Sequence, residues 1–142
     1  MEYSRRDVRF LLSALAAAPL VAQPAPPAQV PTKAYEYTEL PVKTSGVNKS
    51  RAVLKGATHS GFPIELHMTE LGPHAAPHPP HKHVHEELVM LRSGSLEVTM
   101  LGSTKTYGPG SIIYIASNDE HGWKNAGEER AEYFVIALGS DA

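Results

Sequence analysis

From Tyr35 onward the apolar positions recur with a period near two, in short runs separated by glycine, proline and small polar residues. YEYTEL at 35–40 alternates, and RAVLKGA at 51–57 is a second short candidate. FPIELHMTEL at 62–71 puts Phe62, Ile64, Leu66 and Met68 on one side and Glu65, His67 and Thr69 on the other. That is the period of a half-buried strand, ended by Gly72-Pro73. ELVMLRS at 87–93 is continuously apolar in its middle, as a strand covered on both faces would be. Ser93-Gly94 predicts a tight turn, and SLEVTML at 95–101 returns as an alternating strand. Gly102 precedes STKTYG, and Gly108-Pro109-Gly110 makes a firm break. SIIYIA at 111–116, HGWKNA at 121–126 and AEYFVIAL at 131–138 complete the set. Many short strands and no helical period predict an all-β sandwich or barrel, in one domain over 35–142.

The N-terminus reads differently. Arg5 and Arg6 precede the alanine-rich apolar run LLSALAAAPLVA, Leu11 to Ala22. Residues 1–22 resemble a twin-arginine export signal, although Arg9 interrupts the apolar pair Val8 and Phe10. The alternative is an amphipathic helix packed on the domain. The apolar run is too short for a bilayer span, which needs about 20 residues. The expectation is export to the periplasm or beyond, with no stable membrane span after processing, or a cytoplasmic protein if the leader does not function. QPAPPAQVP follows, and residues 23–34 read as an extended proline-rich linker.

Composition narrows the chemistry. A net charge of −2, which becomes −3 once the leader's three basic and two acidic residues are removed, gives no reason to expect nucleic acid. The absence of cysteine excludes disulfides, thiolate metal sites and a cysteine nucleophile, so any metal must be held by nitrogen and oxygen. Five of the eight histidines lie between His74 and His85. His81 and His83, two apart, point to one side of an extended chain, and Glu87 shares their parity. Spacing alone leaves a metal site and a solvated His/Pro-rich loop about equally supported.

His81-x-His83-x3-Glu87-x6-Gly94 resembles the first motif of the cupin family at every defined position. The second cupin motif resembles Pro109-Gly110, the strand SIIYIA, His121 and Asn125, with Ser111 where aspartate is usual. The resemblance covers residues 60–138. It implies a double-stranded β-helix, a jelly-roll barrel, with one divalent transition metal ion held by His81, His83, Glu87 and His121. Imidazoles with a carboxylate suit iron, manganese, nickel or zinc.

The remaining polar residues divide by context. His85 has the right parity but falls at a bend, where a solvated loop residue is the first reading and a pocket residue the second. His74 and His78 read as loop surface and His59 as a turn residue. His67 is either exposed or a pocket wall, and Glu86 a solvated neighbour or a partner of the ligands. Trp123 can line a pocket or fill the core. Asn125 is expected to tie down a loop, and Arg92 to point away from the metal, with Val89 and Leu91 as apolar walls. The resemblance implies a small-molecule metalloenzyme: a dioxygenase, or a related isomerase, decarboxylase or lyase. A non-catalytic metal or ligand-binding module and a structural metal are the competing readings. Apolar residues on both sides of AEYFVIAL predict a homodimer.

Overall fold

The fold is given by a computed structural model that describes residues 27–140 and 142; the expected leader and the start of the linker lie outside the described residues. The described residues form nine strands: β1 (Val42–Ser45), β2 (Asn48–Ala57), β3 (Pro63–Leu71), β4 (Glu86–Ser93), β5 (Leu96–Met100), β6 (Ser103–Tyr107), β7 (Ile112–Ile115), β8 (His121–Asn125) and β9 (Ala131–Leu138). A six-stranded sheet runs β1-β2-β3-β9-β4-β7, and a three-stranded sheet runs β6-β5-β8. All pairings between these strands are antiparallel. Among the described residues there is no α-helix, only the 3-10 turn Tyr37–Glu39.

The sheets face each other across one core. Val89, Leu91, Ile113, Ile115, Tyr133 and Val135 come from the larger sheet, and Leu96, Val98 and Trp123 from the smaller. Fully burying each such side chain stabilises the fold by about 1.5–3 kcal/mol. The result is the expected double-stranded β-helix.

Two turns explain why their residues are needed. Leu101 and Gly102 both have positive φ (50° and 72°), as a two-residue hairpin between β5 and β6 requires. Gly94 has φ +77°, and a Cβ there would stand 2.6 Å from both Ala131 Cα and Arg130 O. Only glycine fits where β4 hands over to β5 against the start of β9.

Two expectations fail. YEYTEL is not a strand. The Tyr37 hydroxyl donates to Glu70 Oε1 (3.1 Å), which also accepts from Arg51 Nη2 (3.2 Å), and the Arg51 guanidinium lies over the Tyr37 ring. The segment thus lies over the sheet instead of pairing in it. β1 has no apolar signal because all four of its residues are exposed. The faces of β3 are also reversed. Cross-strand partners share a face, and the register sets Glu65, His67, Thr69 and Leu71 beside Ala137, Val135, Tyr133 and Ala131. Since Tyr133 and Val135 are core, the polar side of β3 faces inward. Ile64, Leu66 and Met68 face out, and Tyr35, Tyr37 and Leu40 lie beside Leu66 and Met68. The end of the proline-rich segment pairs with β2: Val30 N donates to Ala57 O (2.8 Å) and Ala57 N to Ala28 O (2.9 Å).

Candidate metal centre

His81 is carried to the centre by backbone bonds. Its N–H donates to His121 O and the His121 N–H returns to His81 O, both at 2.9 Å, joining the loop that follows β3 to the start of β8. The two rings lie with centroids 4.7 Å apart. His83, two residues on, sits 5.1 Å from His81 and 4.8 Å from His121, centroid to centroid. Glu87 is the second residue of β4 and points inward beside Ala137 and Ile115. Its Oε2 lies 3.5 Å from His83 Nε2 and 3.5 Å from His121 Nε2.

The outer nitrogens of two rings are already engaged. His83 Nδ1 is 2.8 Å from His85 O, and His121 Nδ1 is 2.9 Å from Asp119 O. A carbonyl only accepts, so each Nδ1 carries the proton and each Nε2 turns a lone pair inward. His83 Nε2, His121 Nε2, Glu87 Oε2 and His81 Nδ1 are buried with no hydrogen-bond partner. Leaving one such group unsatisfied costs about 1–3 kcal/mol, and more for a charged group. His81, His83 and His121 each offer a donor atom within 4.8 Å of the others, as do His83, His85 and Glu87. Converging lone pairs and a carboxylate oxygen, Glu87 Oε2, without a proton donor fit a divalent cation. Burial, then the neighbouring His78, His121 and His83, push the His81 imidazole down to about 4 against the opposing pull of Glu87. A neutral ring is the form that binds a metal.

Below the cluster the residues serve the fold. Trp123 stacks on His121 (5.6 Å) and donates from Nε1 to the Tyr133 hydroxyl (2.8 Å), so it fills the core while backing the His121 ring. Burial raises the Tyr133 phenol to about 12, which keeps it neutral. Asn125 is fully buried and ties down two loops, as expected. Its amide donates to Gly72 O (3.0 Å) and Glu129 O (2.7 Å), and its Oδ1 accepts from Gly127 N (2.9 Å). Arg92 points away and pairs with Glu132. Val89 and Leu91 lie in the core.

Of the histidines set aside, His59 and His74 are exposed, and His74 pairs with Glu128. His78 is exposed too, but its ring meets His81 edge-on at 4.1 Å. His67 is a partly exposed wall on the inward side of β3, paired with Glu65. Glu86 faces outward and hydrogen-bonds Tyr114. His85 is the residue that reading by context undervalued. It is no solvated loop residue: its ring stacks on His83 at 3.6 Å, and its Nε2 lies 3.4 Å from Glu87 Oε1. Its matching parity was the available signal.

Residues 67–137 match the family described as a cupin domain. The chain belongs to the cupin family. No curated protein matches it. Among solved structures this cupin is similar to an RmlC-like cupin with a double-stranded β-helix fold from Methanocaldococcus jannaschii (16% identity, TM-score 0.59, 76% of this chain and 91% of that one). It is similar to the polyketide cyclase RemF from Streptomyces resistomycificus (20%, 0.63, 77% and 80%). A predicted oxalate decarboxylase from Thermotoga maritima also matches (15%, 0.65, 76% and 100%). At these identities the likeness is one of fold.

Proposed function

We propose that this cupin is a small-molecule metalloenzyme that holds one divalent transition metal ion, iron, manganese, nickel or zinc, through His81, His83, Glu87 and His121. The observation that carries the reading is the meeting of His83 Nε2, His121 Nε2 and Glu87 Oε2, all buried and none hydrogen-bonded. A bound ion supplies a Lewis acid with positions open to a small-molecule ligand. The chain's own part is orientation and exclusion of water. The Nδ1 bonds to His85 O and Asp119 O fix two rings, and Val89 and Ile115 close the floor of the barrel. The cupin fold in a polyketide cyclase and in a predicted oxalate decarboxylase supports a reaction class of the dioxygenase, decarboxylase, isomerase or lyase kind.

Metal analysis of purified protein tests the site. The wild type carries close to one equivalent, and Glu87→Ala and His121→Ala lose most of it; full retention in both variants would refute the assignment. Oxygen uptake by the iron-loaded protein on phenolic and diketone substrates tests the dioxygenase class.

Two further readings belong to the same proposal. Export runs through Arg5 and Arg6, so their replacement by lysine stops it, and unchanged export would remove the twin-arginine assignment. The protein is a homodimer through the outer face of the larger sheet, where Ile112 and Tyr114 are exposed beside half-buried Leu88, Met90 and Ile136.

A further inference from the structure

The two carboxylate oxygens of Glu87 face different neighbours. Oε2 faces His83 and His121, whereas Oε1 lies 3.4 Å from His85 Nε2. The His85 ring lies flat against His83, with centroids 3.6 Å apart and planes 6° from parallel. An imidazole nitrogen offers its lone pair in the plane of the ring. An ion in the plane of His83 therefore cannot also lie in a parallel plane one ring-thickness away. His85 is not a further ligand to an ion that His83 holds. Gly139 packs closely behind the His85 backbone: a Cβ on Gly139 would stand 3.1 Å from His85 Cα.

We infer that His85 is a positioning residue, whose Nε2–H holds Glu87 Oε1 so that Oε2 alone is turned towards the three imidazoles. This rests on the metal reading above and deepens it. A carboxylate held by one oxygen binds through the other only, and the place that a second oxygen would take stays open to a small-molecule ligand. Partners of this kind commonly set metal affinity by 10–100-fold.

The test separates the donor from the stack, using cobalt(II) as probe. His85→Phe keeps a flat ring on His83 and removes the N–H; His85→Gln keeps an N–H and removes the ring. His85→Leu, which cannot donate either, replaces the phenylalanine variant if melting shows that variant unfolded. Cobalt affinity and the visible absorption band, which reports coordination number, are measured for each. The glutamine variant is expected to match the wild type. The phenylalanine variant is expected to bind about tenfold more weakly or worse, with a weaker band as the second oxygen joins the ion. A phenylalanine variant identical to the wild type, or a glutamine variant shifted as far as the phenylalanine one, overturns the role of His85. Wild-type protein that binds no cobalt overturns the metal reading and this inference with it.

Discussion

Asn125 shows at the residue scale what a single side chain contributes to this centre. It reaches no ligand, but its amide joins the loop after β3 to the loop before β9, just beyond β8. Asn125→Ala leaves the buried Gly72 carbonyl and the part-buried Glu129 carbonyl without that donor and is expected to cost about 2 kcal/mol. Urea denaturation of the metal-free protein measures the loss. His81 sets a pH dependence. Its pKa is about 4 in the fold against an ordinary 6.5, so the unfolded chain binds a proton first as pH falls. Its contribution to metal-free stability is complete above pH 6.5 and is lost as pH falls towards 4. Melting temperatures of chelated wild type should therefore drop through that window, and those of His81→Gln should drop less. Parity made His81, His83 and Glu87 legible as one group, because alternation is a local property of the chain. The role of His85 was not legible, because a ring stack depends on the bend at 84–85 and not on spacing.

At the scale of the element, turns decide more than strands. Gly94→Ala sets a methyl against Ala131 and the Arg130 carbonyl at positive φ and is expected to cost more than about 2 kcal/mol. Gly102 also has positive φ, but nothing lies within 4 Å of an added Cβ, so Gly102→Ala should cost only about 1 kcal/mol. Thermal melts of the pair check the contrast. β4, β5, β7, β8 and β9 could be read from their short apolar runs and the turn residues between them, within a residue or so of each end. β3 was found but turned over, because the usual rule that the apolar side faces the core fails where a barrel lines its mouth with polar groups. β1 gave no signal because it is wholly exposed, and the alternation of YEYTEL misled because that segment forms a 3-10 turn over the outside of a sheet.

On the scale of the whole molecule, the larger sheet has a core side and a second apolar side. Tyr35, Tyr37 and Leu40 cover the second side near Leu66 and Met68, leaving the β7 edge bare, with Ile112 66% and Tyr114 53% exposed. A proposed dimer through this face predicts that Ile112→Lys with Tyr114→Glu yields monomers in sedimentation velocity with metal content unchanged. A monomeric wild type at micromolar concentration would remove the dimer from the proposal and leave the metal reading intact.

The paired bonds between His81 and His121 carry a consequence for how the centre opens. Each residue gives both a ring to the cluster and a backbone N–H to the other, at 2.9 Å. Moving the His81 backbone away from β8 breaks both bonds and takes its ring from the cluster, so opening of the loop and loss of that ring are one event. Amide hydrogen exchange should report it. The two N–H groups are expected to exchange at a common slow rate in metal-free protein and to slow together when zinc is added, giving a reading of occupancy from the backbone.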